Sequence, residues 1–259
     1  MANAGNFDLT GKVAVVTGGN TGIGMAIALG FARAGASVAI MARNEERNAA
    51  TLEELRRIGR PSAALRLDLS RRGDIKPCLD DAERRLGPID ILVNNAAFAV
   101  LKGLLDHTEE DWDSVLETDL TACFLMSKYA AQSMIRRGRG GKIINVASIG
   151  GYKGTPVYPS YGVSKGGLLQ LTRCLAIELA PHNIQVNSLA PGWTVTDMTG
   201  WIRSEPQYAD LYKEMVLRTP AGRFADPDEM AGAAVFLASS ASNFVTGADL
   251  IVDGGFFIR

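Results

Sequence analysis

Short apolar segments rich in β-branched residues alternate along the whole chain with longer segments of helical periodicity. Seven of the apolar segments predict strands: Lys12–Thr17, Ser37–Met41, Ala63–Leu67, Ile89–Val93, Lys142–Ala147, Ile184–Leu189 and Ala248–Val252. Their almost continuous apolar character is typical of strands buried on both faces. The segments between them predict helices at about 22–34, 44–58, 71–86, 108–137, 158–180 and 226–238. This alternation predicts an α/β fold, a doubly wound seven-stranded parallel sheet with helices on both faces.

One long segment, at about 192–222, has no clear periodicity. A segment of that length inside a compact domain usually has a function, and we predict that it forms a lid over the substrate. Residues 1–259 are otherwise expected to form one dinucleotide-binding and catalytic domain. The last predicted helix begins with Asp226-Pro227-Asp228-Glu229, where Asp226 can cap the helix and Glu229 can reach back to it.

Composition excludes several classes of function. Hydrophobic residues make up 47% of the 259 residues and charged residues 21%, with a net charge of −1. The composition is that of a globular protein, and the charge gives no reason to expect nucleic acid or an acidic membrane as a partner. Three dispersed cysteines indicate reduced thiols and a cytoplasmic location, and with two histidines their spacing predicts no metal site. We expect no secretory leader from the first residues of the sequence and, since no apolar run approaches ~18 residues, no membrane span.

A glycine-rich segment, Thr17-Gly18-Gly19-Asn20-Thr21-Gly22-Ile23-Gly24, follows the first predicted strand and precedes a helix. Here Gly18 would permit a sharp turn, Gly22 a close approach of the backbone to a pyrophosphate, and Gly24 packing of the helix on the sheet. Phosphates would then bind the N–H groups of the helix N-terminus. The spacing differs from the common G-x-G-x-x-G, and a plain tight turn is an alternative. The position after the first strand favours a dinucleotide site of the Rossmann type.

The end of the second predicted strand bears on cofactor choice. An acidic residue there would bind the ribose hydroxyls of NAD(H), but the strand ends Ile40-Met41-Ala42-Arg43. An arginine can pair with a 2′-phosphate, so Arg43 favours NADP(H), with NAD(H) still possible. The alternative is that Arg43 only solvates the end of the strand. Glu45 and Glu46 lie nearby but are expected to begin the next helix, where acidic residues suit the helix dipole.

Three side chains are candidates for chemistry at a carbonyl. Tyr161 and Lys165 are four residues apart on one predicted helix and therefore share a face. An adjacent ammonium favours the phenolate and lowers the pKa of the tyrosine towards the working pH. Ser148 ends the fifth predicted strand, at the edge where open α/β sheets bind ligands. A Tyr-x-x-x-Lys pair alone is common on helix surfaces, and it is the combination with Ser148 and the glycine segment that favours catalysis.

An ordered set of motifs resembles the short-chain dehydrogenase/reductase family, in its single-domain branch, over essentially the whole chain. The set comprises Thr17–Gly24, Asp68, Asn94-Asn95-Ala96, Ser148, Tyr161, Lys165, Pro191-Gly192 and Val252-Asp253-Gly254-Gly255. The resemblance implies hydride transfer between a nicotinamide cofactor and a small ketone or secondary alcohol. Tyr161 would be the general acid/base, Ser148 would hold the substrate oxygen, and Lys165 would bind the nicotinamide ribose. It also implies a homotetramer or a homodimer, with the helices at 108–137 and 158–180 forming one interface.

The resemblance further implies which residues contact the cofactor. Asp68 would meet the adenine amino group, Asn94 would steady the sheet, and Thr194 and Thr196 would face the nicotinamide carboxamide. The implied contact residues are Gly18, Asn20, Thr21, Gly22, Ile23, Gly24, Arg43, Asp68, Leu69, Asn95, Ala96, Tyr161, Lys165, Pro191, Gly192, Thr194 and Thr196.

Two residues depart from the family pattern. Ala97 stands where the family usually has glycine, and its methyl group could crowd the adenosine unless the local φ is negative. Asp119 stands where the family usually has asparagine, whose main-chain carbonyl holds a water beside the lysine. We count Asp119 with Ser148, Tyr161 and Lys165 as a candidate catalytic residue. Its carboxylate could pair with Lys165, alter the proton relay or take up a proton on burial, and we expect activity to survive.

The substrate is less well determined. Side chains of the lid and nearby loops could line an apolar pocket for ring-bearing ketones or could pack lid against body; they are Phe98, Tyr152, Tyr158, Trp193, Met198, Trp201, Tyr208 and Tyr212. Lys153, Arg203 and Arg218 could recruit the carboxylate of a sugar acid or the phosphate of an acyl carrier, or could be solvated.

Three other functions are alternatives. One is an NAD(H)-preferring or dual-specificity dehydrogenase, and another is a non-catalytic NADP-binding regulatory protein, supported only by Ala97 and Asp119. A methyltransferase is disfavoured because it would need an acid where Arg43 stands.

His107 and His182 are expected to be structural. Finally, the apolar tail Phe256-Phe257-Ile258 would be exposed in a monomer, which favours an assembly.

Overall fold

Seven strands form one parallel sheet in the computed structural model, which describes residues 4–154 and 157–259. The strands are β1 (Val13–Thr17), β2 (Ser37–Ala42), β3 (Ser62–Arg66), β4 (Ile91–Asn94), β5 (Gly141–Val146), β6 (Ile184–Pro191) and β7 (Asp249–Val252). Their order in the sheet is β3-β2-β1-β4-β5-β6-β7, and every neighbouring pair is parallel. The predicted doubly wound sheet is confirmed, and each predicted strand lies within two residues of its observed bounds.

Helices cover both faces of the sheet. They are α1 (Gly22–Arg33), α2 (Glu45–Ile58), α3 (Arg72–Leu86), α4 (Glu109–Leu116), α5 (Ala122–Arg137), α6 (Pro159–Leu179), α7 (Gly200–Ser204), α8 (Ala209–Arg218) and α9 (Glu229–Ala238). The chain is helical from Glu109 to Arg137, close to the predicted helix at 108–137. A π-helical turn at Glu117–Thr121 within it divides it into α4 and α5. The last predicted helix begins three residues late, at Glu229, whose carboxylate accepts the Asp226 N–H at 2.8 Å as expected. The prediction that Asp226 caps the helix is wrong, because the helix begins after Asp228, which occupies the N-cap position.

The sheet separates two apolar cores. Side chains of β1, β2 and β4 that point to one face pack with Ile27 and Phe31 of α1 and Leu237 of α9. Those on the opposite face pack with Leu79 of α3, Met126 of α5 and residues of α6. Because both faces are covered, β1, β4 and β6 are buried at every position, which accounts for their largely apolar sequences, whereas the edge strands β3 and β7 are only partly buried.

The segment at 192–222 is more regular than its sequence indicated. It contains α7, α8 and short 3-10 turns, and both of its ends are tied together. Thr194 and Ala225 form an isolated parallel bridge, in which Val195 N donates to Ala225 O at 2.9 Å and Ala225 N donates to Trp193 O at 2.9 Å. The segment therefore leaves and re-enters the body of the protein at one place.

The C-terminal tail packs differently from the expectation. Phe256 is only 9% exposed and contacts Ile202, Met215 and Phe224, whereas Ile258 is 87% exposed. The prediction of an exposed apolar tail is therefore wrong for Phe256, because the segment at 192–222 covers its ring. Within the two described ranges, none of the helices is long and apolar enough to cross a membrane.

Candidate active site

The candidate site lies at the carboxyl edge of the sheet. β1 neighbours both β2 and β4, so the chain leaves β1 and β4 towards opposite sides. Open α/β sheets bind ligands in the crevice that forms at such a point. The glycine segment after β1, the asparagine pair after β4 and Ser148 after β5 therefore share one edge.

The glycine segment is joined to the end of β4. Gly18 has a φ of +62°, in the left-handed region, and a Cβ there would lie 3.0 Å from the Cα of Ala96. The Asn95 side chain donates to Thr17 O at 2.9 Å and to Gly18 O at 3.3 Å. In return, Thr17 Oγ1 accepts the N–H groups of Asn95 at 2.9 Å and Ala96 at 3.1 Å. These bonds fix the turn before any ligand binds.

The first turn of α1 faces the groove. Thr21 precedes the helix with an extended backbone, and its side chain, as far as the described residues extend, does not cap the helix. The N–H groups of this turn and the positive end of the helix dipole therefore suit an anion. Across the groove, a Cβ at Gly22 would lie 3.1 Å from the Thr196 side chain. The residues present fit the pyrophosphate of a dinucleotide, with Ile23 and Gly24 inside the turn that would bind it.

A second asparagine network holds the loop against α2. The Asn20 side chain donates to Asn48 Oδ1 at 2.9 Å and to Asn44 O at 3.3 Å. Asn48 in turn donates to Ala42 O at 3.0 Å. Sequence reasoning missed Asn44 and Asn48. The signal available was a buried asparagine inside an otherwise charged helix, a position where asparagine is a poor helix former.

The side chains at the ends of β2 and β3 lie on one side of the groove. Asp68 accepts the Ser70 hydroxyl at 2.8 Å and the Ser70 N–H at 3.1 Å. These bonds hold the pKa of Asp68 below its usual value, with a smaller contribution from the positive charge of Arg43. Arg43 is exposed, and Leu69 is buried beneath the turn. Asp68 is thus an ionised acceptor, and Arg43 is an exposed guanidinium at the end of β2.

Ala97 fits its backbone without strain. Asn183 is the one non-glycine residue with positive φ in the described part of the chain. The φ of Ala97 therefore lies in the region open to any L residue, and the methyl group does not require a backbone shift.

Ser148, Tyr161 and Lys165 converge after β5. A Cβ on Gly150 would lie 3.4 Å from Ser148 Oγ and 3.7 Å from the Tyr161 ring, so the hydroxyl and the ring flank the same point. Lys165 Nζ lies 5.5 Å from the centre of the Tyr161 ring and donates to Val146 O at 3.0 Å. Lys165 is 2% exposed. The three predicted side chains are therefore brought together at the edge that carries the glycine segment.

A buried polar network supports this edge from below. Asn94 donates to Asn145 Oδ1 at 2.8 Å and to Ser127 Oγ at 2.9 Å, and Asn145 donates to Thr172 Oγ1 at 2.8 Å. The network joins β4 and β5 to α5 and α6. Polar groups this deeply buried hold their partners in one arrangement, because breaking the bonds would leave them unsatisfied.

Asp119 lies against the lysine. It belongs to the π-helical turn between α4 and α5, and its Oδ2 lies 3.9 Å from Lys165 Nζ. Burial raises the pKa of Asp119 to about 7, although the charge of Lys165 and the Phe98 N–H oppose that shift. The site therefore contains an acidic group beside the lysine and tyrosine.

A family model for short-chain dehydrogenases, described as enoyl-(acyl carrier protein) reductase, matches residues 18–257. The chain belongs to the short-chain dehydrogenase/reductase family. Members of this family that resemble it are oxidoreductases acting on CH–OH and C=O groups, and this protein is such an enzyme.

Relatives of this dehydrogenase differ in substrate. It is 43% identical over 253 residues to a 2-dehydro-3-deoxy-D-gluconate 5-dehydrogenase of Escherichia coli K12, covering 98% of both chains. It is 40% identical to a 3-oxoacyl-[acyl-carrier-protein] reductase of Chlamydia pneumoniae, covering 96% of this chain and 98% of the relative. A gluconate 5-dehydrogenase of Burkholderia cenocepacia J2315, solved with NADP and tartrate, superposes with a TM-score of 0.92 at 36% identity, covering 98% of both chains.

The aromatic side chains of the segment at 192–222 pack mainly with one another. Trp193 stacks on Phe224 with ring centres 5.3 Å apart, Tyr212 meets the same ring at 5.0 Å, and Trp201 meets Tyr208 at 4.7 Å. Of the two alternatives, packing is therefore observed for four of these rings, Trp193, Trp201, Tyr208 and Tyr212. Of the other candidates, Tyr152 packs on Phe257 at 5.1 Å, and Tyr158 on Tyr161 at 5.7 Å.

Two of the three basic side chains that could bind a substrate anion are engaged in other contacts. Lys153 donates to Phe257 O at 3.1 Å and lies over the rings of Phe256 and Phe257. Arg218 lies 5.3 Å from the Phe256 ring. Arg203 is exposed on α7. Two of the three predicted anion receptors therefore hold the C-terminal turn.

The turn after β6 joins this segment to the body of the protein. Gly192 N donates to Val252 O at 3.0 Å, and the Thr194 hydroxyl donates to Gly192 O at 3.1 Å. Pro191 closes β6 beside Val252 of β7. Sequence reasoning missed one further contact, an ion pair of 2.7 Å between Arg47 of α2 and Asp197. It joins α2 to the segment at 192–222, and residues 150 positions apart leave no signal of such a pair in a single sequence.

Proposed function

We propose that the protein is an NADP(H)-dependent dehydrogenase that interconverts a ketone and a secondary alcohol of a small sugar acid, with Tyr161 as general acid/base. The observation that carries this proposal is the convergence of Ser148, Tyr161 and Lys165 beside the glycine segment. The segment at 192–222 would serve as the lid.

Each residue has a chemical role in this proposal. Bound nicotinamide would supply or accept the hydride. Tyr161 donates a proton to the carbonyl oxygen in reduction and accepts it in oxidation. Ser148 Oγ, on the other side of Gly150, donates a hydrogen bond to the same oxygen. Lys165 favours the phenolate by its charge and has donor capacity left for a ribose hydroxyl.

The preference for NADP(H) rests on Arg43. The end of β2 has no carboxylate to bind ribose hydroxyls and repel a 2′-phosphate, and the Arg43 guanidinium is free to approach one. The B. cenocepacia structure with NADP supports the same choice. The other implied contacts follow from position: the glycine segment for the pyrophosphate, Asp68 and Leu69 for adenine, and Pro191, Gly192, Thr194 and Thr196 for the nicotinamide.

Replacing Arg43 by glutamine should weaken NADPH binding by about tenfold or more, because a charge-assisted bond to phosphate is lost. NADH affinity should hardly change. Fluorescence titration with each cofactor measures both values. Arg33→Gln, an exposed change at the far end of α1, is the matched control. Tighter binding of NADH than NADPH by the unaltered protein would refute the preference and leave the alternative of an NAD(H)-preferring or dual-specificity enzyme.

A sugar acid is favoured over a ring-bearing ketone because the E. coli and B. cenocepacia relatives are named as dehydrogenases of sugar acids, and because Arg203 of α7 is exposed. The E. coli relative acts on 2-dehydro-3-deoxy-D-gluconate by its name, and the C. pneumoniae relative on an acyl-carrier-protein thioester. Assays with NADP+ should therefore show a higher kcat/KM for oxidation of 2-dehydro-3-deoxy-D-gluconate than for oxidation of a neutral sugar alcohol. Reduction of an acetoacetyl thioester with NADPH is the competing reaction. Preference for the thioester would contradict the sugar-acid proposal while keeping the reaction type.

Assembly and location complete the proposal. A homotetramer or a homodimer is supported by apolar side chains that face outward from α5 and α6, notably Phe124 (44% exposed) and Ile177 (80% exposed). A cytoplasmic location is supported by three cysteines that are all free thiols. The non-catalytic alternative would require that no ketone or alcohol be turned over in the presence of either cofactor.

A further inference from the structure

Asp119 has contacts that could not be predicted from the sequence. It is fully buried, in the π-helical turn at Glu117–Thr121 that packs on α6. Its Oδ1 accepts the Phe98 N–H at 3.1 Å. Its Oδ2 lies 3.9 Å from Lys165 Nζ and, in the described residues, has no hydrogen-bond partner. A carboxylate oxygen is thus buried and directed at an ammonium that lies just beyond hydrogen-bond reach.

The two neighbours of the Asp119 carboxyl group, the Phe98 N–H and the Lys165 ammonium, both suit an acceptor. The Phe98 N–H is a donor, so the atom facing it must accept. The Lys165 ammonium is also a donor and carries a positive charge. An asparagine that accepted from Phe98 would turn its NH2 group towards the ammonium, and the reversed amide would turn it towards the N–H. The carboxylate satisfies both directions.

The charges around the carboxyl group are few. From α6, Lys165 contributes its positive charge. From α5, Cys123 donates its thiol to Asp119 O at 3.3 Å, and burial raises the pKa of that thiol to about 12, so it stays neutral. Glu117 of the same turn is paired with Arg72. Lys165 is therefore the neighbour whose charge Asp119 can offset.

The charge of Asp119 also affects the pKa of Lys165. Burial alone would lower the pKa of Lys165, but the charge of Asp119, followed by Tyr161, outweighs burial and holds that pKa above its usual value. The lysine thus keeps its proton despite being 2% exposed. A negative charge on Asp119 also partly cancels the field that Lys165 exerts on the phenol.

We propose that Asp119 is a positioning residue, the counter-ion of Lys165, which makes the Tyr161–Lys165 pair hold its proton more tightly than a neutral side chain at position 119 would. The kinetic part of this inference rests on the proposed role of Tyr161. Because the two groups are coupled, the proton belongs to the pair, and a nearby negative charge raises its affinity for that proton whichever group releases it.

The charge of Asp119 changes with pH. Below about pH 7 Asp119 takes up a proton and its charge is lost. Above that pH the charge is present, in the range where Tyr161 must lose its proton to act as a base in oxidation. Removing the charge should therefore move the alkaline titration of the pair, and the rise of kcat/KM for alcohol oxidation, to lower pH.

Asp119→Asn tests the proposal. Tyrosinate absorbance is titrated in the enzyme without added cofactor, with Tyr161→Phe subtracted to isolate Tyr161. The titration should move down by about one pH unit, the effect of removing one nearby charge. The profile of kcat/KM, which reports the free enzyme, should move by the same amount. Asp113→Asn, the same change at an exposed position on α4, should leave both unchanged.

A second neutral variant, Asp119→Ser, covers the case in which the asparagine variant does not fold. A shift to lower pH in either folded variant supports the proposal. An unchanged or upward-shifted tyrosinate titration in a folded variant overturns it, because a purely structural Asp119 would change stability without moving the titration. If Tyr161→Phe retains turnover, the proposed function fails, but the absorbance titration still decides the charge coupling.

Discussion

Replacing Tyr161 by phenylalanine should lower kcat by at least ~100-fold, the usual contribution of a positioned general acid or base. The phenyl ring keeps its place between Tyr158 and Gly150, so cofactor affinity should be retained. Single-turnover reduction of a ketone substrate with NADPH measures the chemical step, and fluorescence titration measures binding.

Tyr129→Phe is the matched control. It removes one phenolic hydroxyl from α5, where the ring packs on the core below the sheet, and should leave kcat unchanged. Turnover of Tyr161→Phe at the rate of the unaltered protein would show that another group transfers the proton. Loss of cofactor binding in that variant would show instead that the hydroxyl holds the cofactor site together.

The strands and most helices were predictable because each is a local pattern with a strong burial requirement. The run Val13–Thr17 is buried along its whole length, and so is Ile184–Pro191. A strand covered on both faces favours apolar residues at successive positions, and a polar residue within it needs a hydrogen-bond partner, as Asn187 of β6 has in Val245 O. The start of α4 is equally local, since Thr108 and Asp111, three residues apart, cap each other as a reciprocal capping box.

Features that depend on pairing across the chain were not predictable. The π-helical turn at Glu117–Thr121 has ordinary helical composition, and a single sequence gives no sign of a changed hydrogen-bond spacing. The bond between Asn20 and Asn48 and the ion pair between Arg47 and Asp197 join residues that are distant in sequence. The lid aromatics could be listed from sequence, but their periodicity could not distinguish stacking on Phe224 from lining a pocket.

The candidate site was predictable from the sequence only in part. Ser148, Tyr161 and Lys165 could be named because each follows from a strand end or a helix spacing, both of which are local. The departure at Asp119 could be noticed in the sequence, but its meaning could not be chosen among the alternatives. One alternative was that only the main-chain carbonyl of Asp119 matters. The contacts of its two carboxylate oxygens with Phe98 and Lys165 show instead that the side chain is engaged.

Gly24→Ala should raise the Kd for NADPH by at least about tenfold, a free-energy change of ~1.4 kcal/mol. A Cβ at position 24 would lie 2.3 Å from Gly18 O and 2.3 Å from the Asn95 side-chain nitrogen. Neither atom can move freely, because Asn95 donates to both Thr17 O and Gly18 O. The turn must shift, and with it the N–H groups at the start of α1. Overpacking of this kind should also lower the free energy of unfolding by about 1–3 kcal/mol.

Gly232→Ala separates this effect from the general consequence of replacing a helical glycine. Gly232 is exposed on α9, and no described atom lies within 4 Å of a Cβ built there. The control should therefore stabilise the protein by about 0.5–1 kcal/mol, through helix propensity, and leave NADPH affinity unchanged. Urea unfolding and fluorescence titration of both variants give the comparison. Since both substitutions add the same methyl group within a helix, a difference between them in Kd comes from the contact of Gly24 with the turn. Equal NADPH affinity in Gly24→Ala and in the unaltered protein would mean that the turn does not form the pyrophosphate site.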